Sequence, residues 1–219
     1  MDSLISTLAI WSLPVLFAIT LHEAAHGYVA RHFGDPTAEQ AGRISLNPLR
    51  HIDPVGTVLV PVLILALSSL FGMGGLLFGW AKPVPVNFGR LRHPKADMFW
   101  VAAAGPFANL LMALGWAVLM RIGLGIPEND YSVPMLQMAD AGLQINGVLM
   151  LLNLLPIPPL DGGRIAVSLL PQPLAWKFAR LEPYGFPILL LLLFTGILGA
   201  ILGPLLALFR FFLALLIGS

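Results

Sequence analysis

Long apolar stretches, separated by short polar connections rich in Gly and Pro, set the pattern of this chain. Leu, Ile, Val, Phe and Ala dominate from Leu4 to Ala30, Val55 to Phe78, Met98 to Ile122, Ala141 to Leu155 and Pro187 to Ile217. A helix of about 20 apolar residues crosses the hydrocarbon core of a bilayer, so several of these stretches are long enough to span it. The connections run from Arg31 to Pro54, Lys82 to Asp97, Gly123 to Asp140 and Asp161 to Glu182. The pattern predicts an all-α polytopic membrane protein, with about five to six transmembrane or re-entrant helical segments in one integral membrane domain over residues 1–219.

Three stretches depart from simple spans. Val55 to Phe78 contains Pro61 and the run Gly72-Met73-Gly74-Gly75. It is expected to be broken or re-entrant, which is tolerated where protein shields the backbone, with a single span and basic residues outside as the alternative. The last apolar stretch, 187 to 217, is too long for one upright span, and Gly203-Pro204 is its expected kink or division. Trp80 to Asn87 alternates Val84 and Val86 with prolines, which cannot donate to a ladder. A short extended or β ribbon is therefore expected near residues 80–96. The first apolar run has no basic n-region and passes straight into His22 and Glu23 without a small-residue cleavage site, so it is expected to be a retained span rather than a signal peptide.

Composition strengthens the membrane assignment. The chain is 58% hydrophobic and 11% charged, where soluble domains carry about a quarter charged residues. A net charge of +1 without a basic cluster excludes a nucleic-acid footprint. The absence of cysteine removes disulfides, thiol catalysis and thiolate ligands together. Any metal site must then be built from five histidines and eleven acids. Lys and Arg also sort the connections by side. Arg31, Arg43 and Arg50 lie in the first, Lys82, Arg90, Arg92 and Lys95 in the second, and Arg164, Lys177 and Arg180 in the fourth. The third carries Glu128, Asp130 and Asp140, with Arg121 only at its edge. The first, second and fourth connections are thus expected to be cytoplasmic, and the third external.

The chemistry lies in two places. His22-Glu23-Ala24-Ala25-His26 closes the first apolar stretch. Residues four apart share a helix face, so both imidazoles can reach one zinc ion, with Glu23 beside them to take a proton from a metal-activated water. Ionisable groups inside a membrane are costly unless they pair or line a wet cavity, so their presence here calls for a function. Catalytic zinc usually takes three protein ligands. His32 falls on another helix face, and His51 and His93 sit in basic connections where they are expected to be solvated. Asp161 is the acid that stands apart, in the run Asn153-Leu154-Leu155-Pro156-Ile157-Pro158-Pro159-Leu160-Asp161-Gly162-Gly163. Its prolines favour extended chain after an apolar helix, and its glycines permit close approach before a helix resumes near Arg164. Asp161 can there serve a metal or cap the following helix.

The two motifs, together with Gly105-Pro106-Phe107-Ala108-Asn109 in the middle span, resemble the site-2 protease family of intramembrane zinc metalloproteases across most of the chain. Gly79-Trp80-Ala81-Lys82-Pro83-Val84-Pro85-Val86-Asn87 looks like the compact bacterial and archaeal branch, which lacks PDZ and CBS domains. The resemblance implies one zinc ion per chain bound by His22, His26 and Asp161, with Glu23 as catalytic base. It also implies that Asn109 and Asn153 border the site, as substrate or oxyanion contacts, although either can equally make an interhelical hydrogen bond. The expected activity is endopeptidase cleavage in or near transmembrane segments of membrane-protein substrates. The expected location is the plasma membrane of a prokaryote, with the site opening toward the cytoplasm. Rival classes are a membrane metal-binding or transport protein, which would need a relay of intramembrane acids or histidines, and a silent scaffold, which would have no need of Glu23.

Overall fold

A computed structural model of the chain describes residues 2–60, 63 and 82–218. Among these residues seven helices organise the fold: α1 Asp2–His32, α2 Pro94–Leu124, α3 Ser132–Asn153, α4 Asp161–Leu169, α5 Gln172–Ala179, α6 Glu182–Phe194 and α7 Ile197–Ile217. A one-turn helix Thr37–Gln40, a 3-10 turn Pro48–Arg50 and a π-helical turn Pro54–Leu59 follow α1, and a 3-10 turn Phe88–Arg90 precedes α2. Four of the described helices are long and apolar enough to cross a membrane: α1 from Ile5 to His32, α2, α3 and α7. The protein is an all-α, polytopic integral membrane protein.

Packing is inverted relative to a soluble domain. The buried positions are largely small, among them Ala18, Ala24, Ala30, Ala102, Ala113, Ala117, Ala139 and Ala141, while Leu8, Phe17, Leu111, Val118, Leu208 and Phe211 are exposed. Lipid chains are as apolar as leucine, so helices associate by close backbone approach at small residues rather than by hiding large ones. α2 lies at the centre, in contact with α1, α3, α4 and α7.

The first, second and fourth connections meet in one layer. The Lys82 N–H donates to His51 O at 2.9 Å, the Arg43 guanidinium donates to Lys82 O at 2.6 Å, and the Arg92 N–H donates to Phe33 O at 3.0 Å. Asp35, fully buried, accepts from the Asn87 N–H at 2.6 Å. The Lys95 ammonium donates to Leu170 O, and the Arg164 guanidinium lies 5.3 Å from the centroid of the Phe88 ring. Residues 51 and 82 are thus neighbours. The expectation that Val55 to Phe78 is broken or re-entrant falls mainly on 61–62 and 64–81, outside the described residues. At the opposite end, Arg121 donates to Leu216 O and Ile217 O, each at 3.1 Å, and so caps the C-terminus of α7 beside the third connection.

Three expectations are corrected. The last apolar stretch divides at Thr195-Gly196, where Gly196 adopts φ +75°, and not at Gly203-Pro204, which continues inside α7. A left-handed residue ends a helix outright, whereas a proline inside a span removes one bond that its surroundings can compensate. The ribbon expected near residues 80–96 is not found: residues 82–87 form no regular secondary structure, no strand pairing occurs among the described residues, and α2 already begins at Pro94, because the prolines at 83 and 85 cannot donate to a ladder. His51 is 2% exposed rather than solvated, because its ring packs under the loop layer with Nε2 2.8 Å from Ser45 O.

Candidate metal centre

The last turns of α1 face α2 and α4. His22 and His26, on one face of α1 as their spacing requires, are buried, and so is Asp161 at the start of α4. Among the described residues these form the one group of three or more potential ligands. The two Nε2 atoms are 3.1 Å apart, and Asp161 Oδ2 lies 3.2 Å from His22 Nε2 and 3.3 Å from His26 Nε2.

The outer nitrogens decide the character of the inner ones. His26 Nδ1 is 2.7 Å from Val101 O, a carbonyl that can only accept, so this nitrogen carries the proton. His22 Nδ1 is 2.6 Å from Asn109 Oδ1, likewise an acceptor. In the neutral imidazoles both Nε2 atoms therefore present lone pairs to each other and to a carboxylate oxygen. Asp161 Oδ2 is buried with no hydrogen-bond partner of good geometry. Three converging lone pairs repel unless a cation sits among them. Zinc ligands at ~2.0–2.1 Å in tetrahedral array stand about 3.3 Å apart, which matches the three separations. The residues fit a zinc ion.

Backbone detail makes this convergence possible. A Cβ on Gly105 would stand 2.6 Å from His22 Nε2 and closer still to His26 Nε2, so only glycine lets α2 pass beside the imidazoles. Gly162 and Gly163 press against the backbone of Leu154 to Pro158, where a Cβ on either would strike main-chain atoms. The chain after α3 is thereby folded tightly onto the start of α4, and Asp161 is carried to the two histidines. Asp161 makes no capping bond; the N-cap of α4 is Leu160.

Glu23 stands next to the trio on the neighbouring face of α1. Its Oε2 accepts from the Val84 N–H at 2.7 Å. In Pro83-Val84-Pro85 this is the one residue with an N–H, and it is spent on Glu23.

The two asparagines separate. Asn109 is fully buried on α2; its Oδ1 faces His22, and its Nδ2 donates to Asn146 Oδ1 at 2.9 Å and to Ala18 O at 3.3 Å. Both N–H donors of that amide are spent within the bundle, and its oxygen is turned to His22. Asn153 is half-buried and donates to Leu149 O of its own helix at 3.0 Å. Sequence reasoning does not single out Asn146, fully buried on α3, or the contact of Val84 with Glu23. Asn146 carries the same signal as its two counterparts, an amide inside an apolar stretch.

No family model and no solved structure matches the chain. Curated relatives do. The chain is 38% identical over 203 residues to "Putative zinc metalloprotease YwhC" of Bacillus subtilis, covering 89% of this chain and 84% of that protein. It is 32% identical over 182 residues to "Putative zinc metalloprotease Rip2" of Mycolicibacterium smegmatis, covering 82% of this chain and 64% of the relative. It is 33% identical over 148 residues to Rip2 of Mycobacterium tuberculosis, covering 67% and 52% respectively. Both names specify zinc, the ion that the geometry of the three side chains fits. The chain belongs to the site-2 protease family of zinc metalloproteases.

Proposed function

We propose that the protein is an intramembrane zinc endopeptidase, that residues 1–219 form one catalytic domain, and that its substrates are membrane proteins cut in or near a transmembrane segment. The observation that carries this is the convergence of three buried lone-pair atoms, His22 Nε2, His26 Nε2 and Asp161 Oδ2, beside an acid held separately. His22, His26 and Asp161 are the ligands in this reading, one zinc ion per chain. Zinc supplies Lewis acidity there, lowering the pKa of water to about 7 and polarising the scissile carbonyl.

The remaining work falls to the chain. Asn109 and Val101 O hold the two imidazoles with their lone pairs inward. Glu23 is the general base: the Val84 N–H fixes Oε2, leaving Oε1 to accept the water proton and later deliver it to the leaving amine. A helical substrate has its carbonyls locked in hydrogen bonds and must unwind before attack. Residues 82–87 touch Glu23 through Val84, and in this reading the unwound substrate is laid along that segment as an added strand. Asn153 is a substrate contact in this reading, and Asn109 a support for His22.

In this reading the basic layer formed by the first, second and fourth connections is cytoplasmic, so the site opens toward the cytoplasm, and the membrane is the plasma membrane of a prokaryote. Single cysteines at Leu46 and Arg90, both exposed in that layer, should label from the same, cytoplasmic face; labelling from opposite faces contradicts this topology. A transporter would need further intramembrane ligands, and among the described residues no second group of potential ligands occurs.

The test of the activity is Glu23→Gln. It removes the base but no ligand, so cleavage of a transmembrane substrate should fall by at least ~10²-fold while zinc stays bound. Near-normal turnover contradicts the role of Glu23.

A further inference from the structure

Asn146 lies fully buried in the middle of α3, one helix removed from the histidines. We infer that Asn146 is a positioning residue for the metal centre: acting through Asn109, it determines which nitrogen of His22 faces the metal. The inference rests on His22 being a ligand.

An amide side chain has two similar ends, one that accepts and one that donates, and only its partners fix which way it points. Here both directions are anchored on backbone carbonyls. Asn146 Nδ2 is 2.8 Å from Gly142 O, which can only accept, so this end must be the NH2 group. Asn146 Oδ1 is thereby turned toward Asn109, whose Nδ2 donates to it at 2.9 Å and to Ala18 O at 3.3 Å. With its NH2 group committed, Asn109 can present only oxygen to His22, at 2.6 Å from Nδ1. His22 must then carry its proton on Nδ1 and keep Nε2 free for the metal.

The relay therefore has a polarity, running from His22 through Asn109 and Asn146 to Gly142 O. If Asn146 is removed, Ala18 O alone, at the longest distance in the relay, holds Asn109 against turning over. A turned Asn109 would offer NH2 to His22 Nδ1, stabilise the proton on Nε2 and oppose metal binding. His26 needs no such device, because its Nδ1 reaches the carbonyl Val101 O directly. The two ligand histidines are thus oriented by different means, one by main chain and one by a two-amide relay.

Asn146→Asp and Asn146→Leu separate a directional role from mere packing. Asp keeps an oxygen toward Asn109 in either protonation state; Leu keeps the branched shape, with larger methyl ends, and offers none. Two quantities are read on each purified protein: zinc affinity against a competing chelator, and the Nδ1–H signal of His22 in protein labelled with 15N-histidine and loaded with zinc. Wild type and Asn146→Asp should show a downfield, slowly exchanging His22 Nδ1–H. Asn146→Leu should lose that signature and bind zinc about 10–100-fold more weakly, the range found when a partner behind a metal-binding histidine is removed. Unchanged affinity and signal in Asn146→Leu, or equal losses in both variants, would overturn the relay. If Asn146→Leu does not accumulate, wild type decides alone: a His22 Nδ1–H that exchanges as fast as a solvent-facing imidazole overturns it. A wild-type protein that binds no zinc contradicts the ligand assignment instead, and the direction of the relay is then read from the same signal without metal.

Discussion

Two helices of this protein are both long and apolar enough to span a membrane and behave differently in the fold. These are α1, from Ile5 to His32, and α7. α7 buries one stripe, with Leu198, Leu202, Leu213 and Ile217 inward, and leaves Leu205, Leu208, Phe211, Phe212, Leu215 and Leu216 exposed. α1 buries Ala18, Thr20, His22, Ala24, His26 and Ala30. Where α7 offers the bundle a surface of large side chains, α1 offers a close approach of backbones with polar groups inside it. The comparison shows what a polar residue inside a membrane protein requires. Both histidines of the trio have a fixed partner on the outer nitrogen, and both need α2 to come near enough to supply it.

Glycines in the two regions sharpen that contrast. Gly105 stands where α2 passes the imidazoles, and a Cβ there meets both Nε2 atoms. Gly105→Ala should push the rings apart or displace α2, losing zinc and activity together, with a stability cost of about 1–3 kcal/mol for overpacking. Zinc titration and a thermal melt check both effects. Gly199, in the first turn of α7, faces open space, and a Cβ added there would meet no atom of another described residue within 4 Å. Gly199→Ala should leave zinc and turnover unchanged and raise stability by roughly 0.5–1 kcal/mol, since glycine inside a helix is disfavoured by that amount relative to alanine. A Gly199→Ala protein that loses zinc, or a Gly105→Ala protein that keeps it, removes the distinction between the two helices.

Some of this is legible in the sequence, and the rest is hidden for physical reasons. His22, Glu23 and His26 are visible because a helix repeat puts residues four apart on one face, a purely local rule. Asp161 is visible because prolines and glycines around it mark backbone that is neither helix nor ordinary turn. The long spans follow from hydropathy, and the shared layer of three connections follows from their Lys and Arg. The break at Gly196 is hidden because glycine and proline read alike in an apolar run, while only a left-handed residue ends the helix. Gly105 and Asn146 act through contacts between helices, for which a single sequence carries no local pattern. His51 reads as solvated because its neighbours are polar, yet the loop layer closes over it.

The central claim is that His22, His26 and Asp161 together hold the zinc ion, and Asp161 is the member that comes from a distant part of the chain. The most direct measurement is zinc stoichiometry under a weak competing chelator, with peptidase activity alongside, for wild type, Asp161→Ala and Asp161→Glu. Wild type should retain one zinc per chain. Asp161→Ala should lose affinity and activity, and Asp161→Glu should be impaired as well, because Gly162 and Gly163 fix the backbone and an added methylene displaces the carboxylate. A helix-capping role alone would cost about 0.5–2 kcal/mol of stability and spare the metal. Full zinc retention with full activity in Asp161→Ala would contradict the claim and take Asp161 out of the ligand set.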